Sequence, residues 1–403
     1  MKYKNLNPII KSFIIIVFLY GLTSASFNGF FGIYIKEIGH PESTVGQILS
    51  LRRFSVGIST FFIAFIATKI GHKKTLIMGL FTVGITSILI VLIKDLRFIQ
   101  LISVIFGFGQ AAMLTVESPF IFNQAEGEER VHAFSLTFAV RNAAFMTGSL
   151  VTGFLSDLFS VRASSNAQAL RWALILVSLM SLIAIIPLTR LRPKPMANDR
   201  PLDLNQFKAF FTGQNITFLL YTGFIGLGAG MVVPFFGVYL KYTLNTTESL
   251  VGLILSFAQL GTVFGGLSVP WLSHRIGNYK TIVLTQMLSI PLLIAIGFPQ
   301  GIPVVAIAFF LRSSLMNMGQ PLIRNIAMSI AREEHRPLMS AMRVMFNNLT
   351  RALGIYLGGR IMERYTYNTP YLFTIGAYII GTLLFYLLFR QEIHGKALQD
   401  SKN

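Results

Sequence analysis

One long internal repeat governs what this chain can become. Phe30-Phe31-Gly32-Ile33-Tyr34-Ile35-Lys36 recurs as Phe235-Phe236-Gly237-Val238-Tyr239-Leu240-Lys241, an offset of 205 residues. Glu42 to Ser50 recurs as Glu248 to Ser256, and Lys69-Ile70-Gly71 as Arg275-Ile276-Gly277, both at 206. One extra residue in a loop therefore separates two copies that are otherwise in register. A period near 200 is far beyond the roughly 20 to 50 residues of a solenoid repeat, so a whole domain has been duplicated. Any fold for this chain must divide into two similar halves.

Composition says what was duplicated. Hydrophobic residues make up 53% and charged residues 12% of the chain, and the mean hydropathy is +0.63. A soluble domain carries about 25% charged residues, so each half belongs in a membrane. The chain has no cysteine, which excludes disulfides, thiolate metal sites and cysteine nucleophiles.

A bilayer core about 30 Å thick takes roughly 20 apolar residues per helix. Twelve spans are predicted, at 12–35, 45–67, 75–93, 98–122, 131–156, 170–189, 216–240, 251–272, 281–298, 302–329, 337–359 and 370–389. The connection at 190–210 is long, charged and Pro-rich, and it separates an N-terminal half, 1–189, from a C-terminal half, 211–403. Lys11 and the small residues Thr23 to Ser26 mimic a secretion signal, but Phe30 to Lys36 just beyond them belongs to the repeat, so the first helix is expected to be a retained span. With the N-terminus inside, 19 Lys and Arg fall on the cytoplasmic side and 8 on the other, which favours an N-in, C-in protein of the cytoplasmic membrane. The net charge of +18 is thus a topology signal and argues for lipid rather than nucleic acid as the basic residues' partner. A period of six spans is even, so the copies enter the membrane from the same side. That makes them parallel repeats, for which a substrate site near the midplane is expected.

Six plus six parallel spans with a basic loop after the second resembles the major facilitator superfamily over essentially the whole chain. The signature loop of that family reads Gly, three residues, Asp, Arg or Lys, one residue, Gly and a basic pair. Ala64, Thr68, Lys69, Gly71, His72 and Lys73 occupy those places, and Pro270, His274, Arg275, Gly277, Asn278 and Tyr279 occupy them in the second half. Glycine and cation survive twice, and the acidic residue is missing twice. The resemblance implies that Lys69, Gly71, Arg275 and Gly277 serve gating, with any latch built from other residues. The Gly-Pro pair typical of drug/proton antiporters is also absent. Gly148 and Gly153 stand there instead, echoed by Gly354 and Gly359, which reads as close helix packing.

Charges inside a span cost at least about 2.5–3.5 kcal/mol each and mark function. Seven arginines and one carboxylate qualify: Arg52, Arg53, Arg141, Arg312, Arg324, Arg343, Arg351 and Glu117. Arg53 shares a face with Gly46, Ser50, Gly57 and Thr60, so it is expected to point inward while Arg52 snorkels outward. Arg343, Asn347 and Arg351 form one stripe at i, i+4 and i+8, and Ser313, Asn317, Gln320 and Arg324 another on the tenth span. By depth, Arg53, Arg141, Arg312 and Arg351 form a central cluster, with Asn142, Gln259, Asn347 and Asn348 beside them as a candidate substrate site. Glu117 lies nearer the cytoplasm and is expected to pair across the halves with Arg324 or Arg343, or else with Lys73 or Arg130. As the one buried carboxylate expected, it is the candidate for proton coupling. The small residues from Gly21 to Gly32 on the first span, and Gly223, Gly226, Gly228, Gly230 and Pro234 on the seventh, suit bending helices.

Guanidinium groups bind carboxylate or phosphate in a two-pronged fork, so the substrate is expected to be a small organic anion. The expected protein is a monomeric secondary transporter working by alternating access, proton-coupled, with no cofactor and no metal. No phosphate loop for ATP and no nucleophile, base or zinc motif is present, which excludes an ATP-driven pump and a membrane enzyme. Two alternatives stay open: a multidrug/proton efflux pump, and a flippase for a lipid or lipid precursor.

Overall fold

The computed structural model describes residues 7–193, 211–332 and 335–393, and every regular element among them is a helix. The helices are α1 (Pro8–Glu37), α2 (Glu42–Ile70), α3 (His72–Leu92), α4 (Leu96–Gln124), α5 (Gly127–Ser160), α6 (Asn166–Ile183), α7 (Ile185–Arg190), α8 (Gly213–Val232), α9 (Phe236–Thr243), α10 (Glu248–Ile276), α11 (Asn278–Gly297), α12 (Ile302–Met318), α13 (Gln320–Ile330), α14 (Arg336–Arg364) and α15 (Thr369–Leu388). Each predicted span coincides with one helix or one broken pair. The protein is therefore an all-α membrane protein built from two six-span repeats. Most of the expected connection at 190–210 lies outside the described residues.

The breaks have local causes. Pro234 has no N–H to continue α8, and a 3-10 turn at Val233–Phe235 hands the chain to α9, as the Gly- and Pro-rich seventh span predicts. Pro321 sits in the first turn of α13, so the tenth span is two helices rather than one. The stripe from Ser313 to Arg324 expected on that span is correspondingly interrupted. Among the described residues, ten helical stretches are long and apolar enough to cross a membrane, with Asn166–Arg190, Gly213–Thr243 and Ile302–Ile330 each counted as one. Among the long helices, α5 and α14 fall outside that set. They are the helices that carry Arg141, Arg343 and Arg351.

The surviving signature residues are hinges between helices in both repeats. Gly71 and Gly277 each take φ near +84, a left-handed conformation that a side chain resists, and each starts the next helix at once. Each cation covers an aromatic ring four positions before it: Lys69 lies 4.5 Å over Phe65 and Arg275 lies 4.4 Å over Trp271. Thr68, in the position of the missing acid, donates to the carbonyl of Phe65 at 2.8 Å and so spends its hydroxyl on its own helix.

The chain packs as two compact units, Met1–Arg200 with Pro234–Ser256, and Pro201–Val233 with Phe257–Asn403. In the first, α5 lies on α1 so closely that a Cβ on Gly148 would stand 2.7 Å from the carbonyl oxygen of Leu22. In the second, α14 lies on α8 with Gly354 against the carbonyl of Leu227, the same pair one repeat later. Both glycines are packing residues, as the sequence suggests.

The segment 234–256 belongs to the second repeat by sequence and to the first unit by packing. It meets α1 through the repeated heptapeptide itself. Gly32 faces Val238, while Gly237 faces Ile33 and the backbone of Gly29. Polar bonds fasten the rest: Tyr242 donates to Glu37 at 2.7 Å, the backbone N–H of Ser249 donates to Asp157 at 2.9 Å, and Ser256 donates to the carbonyl of Met146 at 2.7 Å.

Candidate functional site

In the first unit the polar interior is built by α1, α2, α4 and α5. Arg52 is only 6% exposed, its Nη2 donates to Asn28 Oδ1 at 2.6 Å, and its guanidinium lies 4.8 Å from the Phe106 ring centre. Its Nη1 is buried without a hydrogen-bond partner. Arg53 is half-buried. The expectation that Arg52 snorkels outward is thus corrected. The signal was in the sequence: Val45, Ile48, Leu49, Arg52, Val56, Ser59 and Ile63 form the buried face of α2 at helical spacing, and Arg52 stands in that row.

Glu117 finds its ion-pair partner inside its own unit, in Arg141, and not in Arg324 or Arg343 as the depth count suggested. The two static alternatives are also corrected. Lys73 donates to the carbonyls of Thr189 and Leu191, at 2.8 and 2.6 Å, and Arg130 donates to the carbonyl of Ala125 while lying 3.6 Å over the Phe122 ring. Side-chain lean explains the pairing. Side chains on a helix tilt toward its N-terminus. Because α5 starts where α4 ends, Arg141 tilts toward the shared connection and Glu117 tilts away from it, so the two approach from opposite sides of a gap of about 10 Å in helical rise. Tyr20 lies within electrostatic range of both Arg52 and Arg141. Asn142, 8% exposed, donates back to the carbonyl of Phe138 on its own helix at 2.8 Å.

Glu117 is not the sole buried carboxylate. Glu248 is 6% exposed at the start of α10, paired with Lys241 at 2.9 Å. Its place at a helix start, beside a loop, hid it from a search confined to spans.

In the second unit the arginines gather around two tyrosines. Arg312 is 4% exposed and donates from Nη2 to the hydroxyl of Tyr378 at 3.1 Å. Arg351 lies within electrostatic range of both Tyr378 and Arg312, and its Nε is buried without a hydrogen-bond partner. Eight residues earlier on α14, Arg343 stands in the same relation to Tyr221 and Arg324, again with a buried, unpartnered Nε. Tyr221 accepts from Gln286 Nε2 at 2.7 Å, and Gln286 Oε1 accepts from Thr382 at 2.9 Å. Arg324 itself is exposed. Asn347, between the two arginines of α14, donates to the carbonyl of Thr222 at 3.1 Å, and Asn348 donates to Val344 on its own helix at 2.8 Å. Gln259 is half-buried on α10. Sequence reasoning found the arginines and missed Tyr221 and Tyr378, which carry no charge and lie in wholly apolar runs.

Charge is lopsided here. Among the described residues of the second unit the carboxylates are Glu363 and Glu392, both at helix ends, while Arg312, Arg324, Arg343 and Arg351 lie within α12, α13 and α14.

Comparison with known proteins agrees with this architecture. The family model described as Major Facilitator Superfamily matches residues 13–229 and again 218–403. The quinolone resistance protein NorA of Staphylococcus aureus (strain MSSA476) is 20% identical over 358 residues, 87% of this chain and 89% of that protein. The uncharacterized MFS-type transporter YceJ of Bacillus subtilis (strain 168) is 27% identical over 158 residues, 39% of this chain and 40% of its own length. The crystal structure of the nucleoside transporter NupG superposes with a TM-score of 0.77 at 15% identity, covering 95% of this chain and 99% of that one. A bacterial homologue of the human lysosomal transporter Spinster gives 0.74 at 13% identity, covering 95% of this chain and 96% of its own.

Proposed function

The chain belongs to the major facilitator superfamily of membrane transporters, and from that premise we propose that it is a secondary transporter of the cytoplasmic membrane that carries a small organic anion by alternating access. One observation carries the reading: Arg312 donates to Tyr378, and Arg351 lies within electrostatic range of both, in a unit whose carboxylates, among the described residues, lie only at helix ends. Like charges brought together in a low-dielectric interior are stabilised by an anion between them, and a carboxylate or phosphate fits the fork of each. Tyr378 adds a hydroxyl hydrogen that can be donated to the same group. The pair of Arg141 and Glu117 supplies proton coupling, because protonating Glu117 releases Arg141.

The test is uptake into proteoliposomes of labelled carboxylates, phosphate esters and a lipophilic cation, with and without a proton gradient. Anions are expected to be carried, and Arg351→Gln to lose at least about tenfold in rate, the share of one charged hydrogen bond. Preference for the lipophilic cation, or full activity in Arg351→Gln, refutes the reading. A second reading, export of a drug-like solute, is favoured by the resistance named for the relative NorA. Inside-out vesicles in the same assay give the direction.

A further inference from the structure

We infer that the second unit holds two anion stations, and that Arg324, Arg343 and Tyr221 form the inner one. This rests on the anion reading of Arg312 and Arg351 but assigns a separate site. The two groups repeat one construction. Each sets an arginine of α14, with a buried unpartnered Nε, within electrostatic range of an arginine of the tenth span and a buried tyrosine, and in the inner group Asn347, one turn from Arg343, bonds the carbonyl of Thr222 beside Tyr221. Arg343 and Arg351 are eight residues apart on one helix, about 12 Å at 1.5 Å per residue, and Arg312 and Arg324 are twelve apart, about 18 Å before the break at Gly319 is allowed for. That spacing exceeds the reach of a single carboxylate or phosphate, so one anionic group cannot serve both.

The inner group was expected to be neutralised by Glu117, and Glu117 is held by Arg141 in the first unit. Among the described residues, the electrostatic neighbours of Arg343 are a second cation, Arg324, and Tyr221, which starts a chain of neutral hydrogen bonds to Gln286 and Thr382. That chain fixes the phenol: Gln286 uses the acceptor side of the Tyr221 oxygen, which leaves its hydrogen to be donated. Two guanidiniums and one oriented hydroxyl make a binding set for a carboxylate or phosphate group. Exposure separates the stations: Arg312 is buried while Arg324 is exposed, so the inner station meets the soluble anion first and the midplane station second. Asn347, midway between Arg343 and Arg351 on α14, spends its amide on the carbonyl of Thr222.

The chain has no cysteine, so single thiol reporters are clean. Ser340 is half-buried and three residues before Arg343, on the same face of α14. In Ser340→Cys, a negatively charged methanethiosulfonate should react on the order of tenfold faster than a positively charged one, falling to about threefold when Arg343→Gln is added. Inorganic phosphate or citrate should slow the reaction in Ser340→Cys and in Ser340→Cys with Arg351→Gln, and should not slow it with Arg343→Gln. Exposed Asn325→Cys, beside Arg324, gives the same readings if Ser340→Cys does not react. Equal rates for the two reagents, or loss of protection with Arg351→Gln, overturns the inference and leaves a single site. Protection without any anion transport supports the inner station and removes the transport reading instead. Repeating the assay in nanodiscs of phosphatidylcholine with and without phosphatidylglycerol identifies the source: an anionic lipid that protects without added phosphate makes a headgroup the occupant.

Discussion

Replacing Gly237 with alanine should release the segment 234–256 from the first unit. A Cβ at Gly237 would stand 3.0 Å from the carbonyl carbon of Gly29 and nearer still to its oxygen. Carbon atoms rest at about 3.5–4.0 Å, so the two backbones must part by at least about 0.5–1 Å, and the closer oxygen demands more. No rotamer relieves this, because both sides of the contact are main chain. Overpacking of that kind costs about 1–3 kcal/mol, which multiplies the undocked population about 5- to 150-fold. Gly29→Ala touches the same contact from the other side, yet its Cβ would meet only the terminal methyl of Leu255, at 2.9 Å, a group free to rotate. Ser256→Cys, buried and nineteen residues beyond Gly237, reports undocking of the whole segment rather than a local distortion. Its rate of modification by a small neutral thiol reagent should rise within that range in Gly237→Ala and by less than about twofold in Gly29→Ala. Equal rates in the two variants would refute the argument that main-chain contact, and not the polar bonds from Tyr242, Ser249 and Ser256, holds the segment down.

Two further outcomes follow from single sites. Glu117→Gln leaves Arg141 without its carboxylate. A fully buried pair broken on one side costs about 3–5 kcal/mol, and with 34% and 15% of the two side chains exposed the expected loss is about 1–3 kcal/mol. Thermal unfolding in detergent measures it, and Arg141→Gln added to Glu117→Gln should restore part of the loss; a double variant worse than either single one counts against the pair. At the helix joints, Gly71→Ala and Gly277→Ala should each lower stability by about 1–3 kcal/mol, because φ 84 with ψ 153 or 159 is open essentially to glycine alone. An unchanged midpoint in Gly71→Ala would contradict the left-handed joint.

The duplication and the span count were legible because both are one-dimensional: an offset is read along the chain, and a span is a run of apolar residues. Even the breaks at Pro234 and Pro321 are local. The partners of the charges were not legible in the same way. Counting depth from the ends of spans placed Glu117 and Arg141 in different layers, and it ignored that α4 and α5 tilt their side chains toward each other. Arg52 and Arg53 are neighbours about 100° apart, and in sequence the small polar residues near Arg53 compete with the apolar row that holds Arg52. Tyr221 and Tyr378 had no signal, since an aromatic in an apolar helix reveals its hydroxyl's partner only when the other helices are in place.

The heptapeptide that betrays the duplication touches its own copy. Gly32 meets Val238 and Gly237 meets Ile33, and Val238 is the repeat counterpart of Ile33 just as Gly237 is of Gly32. A surface that accepts itself through two equivalent contacts is the kind a symmetric homodimer uses. Here that meeting is internal, made between the two copies within one chain. Gly32 packs on Val238 of the other copy, and Gly237 packs on the backbone of Gly29 and on Ile33. The seven residues that reveal the duplication are also a place where its two copies meet.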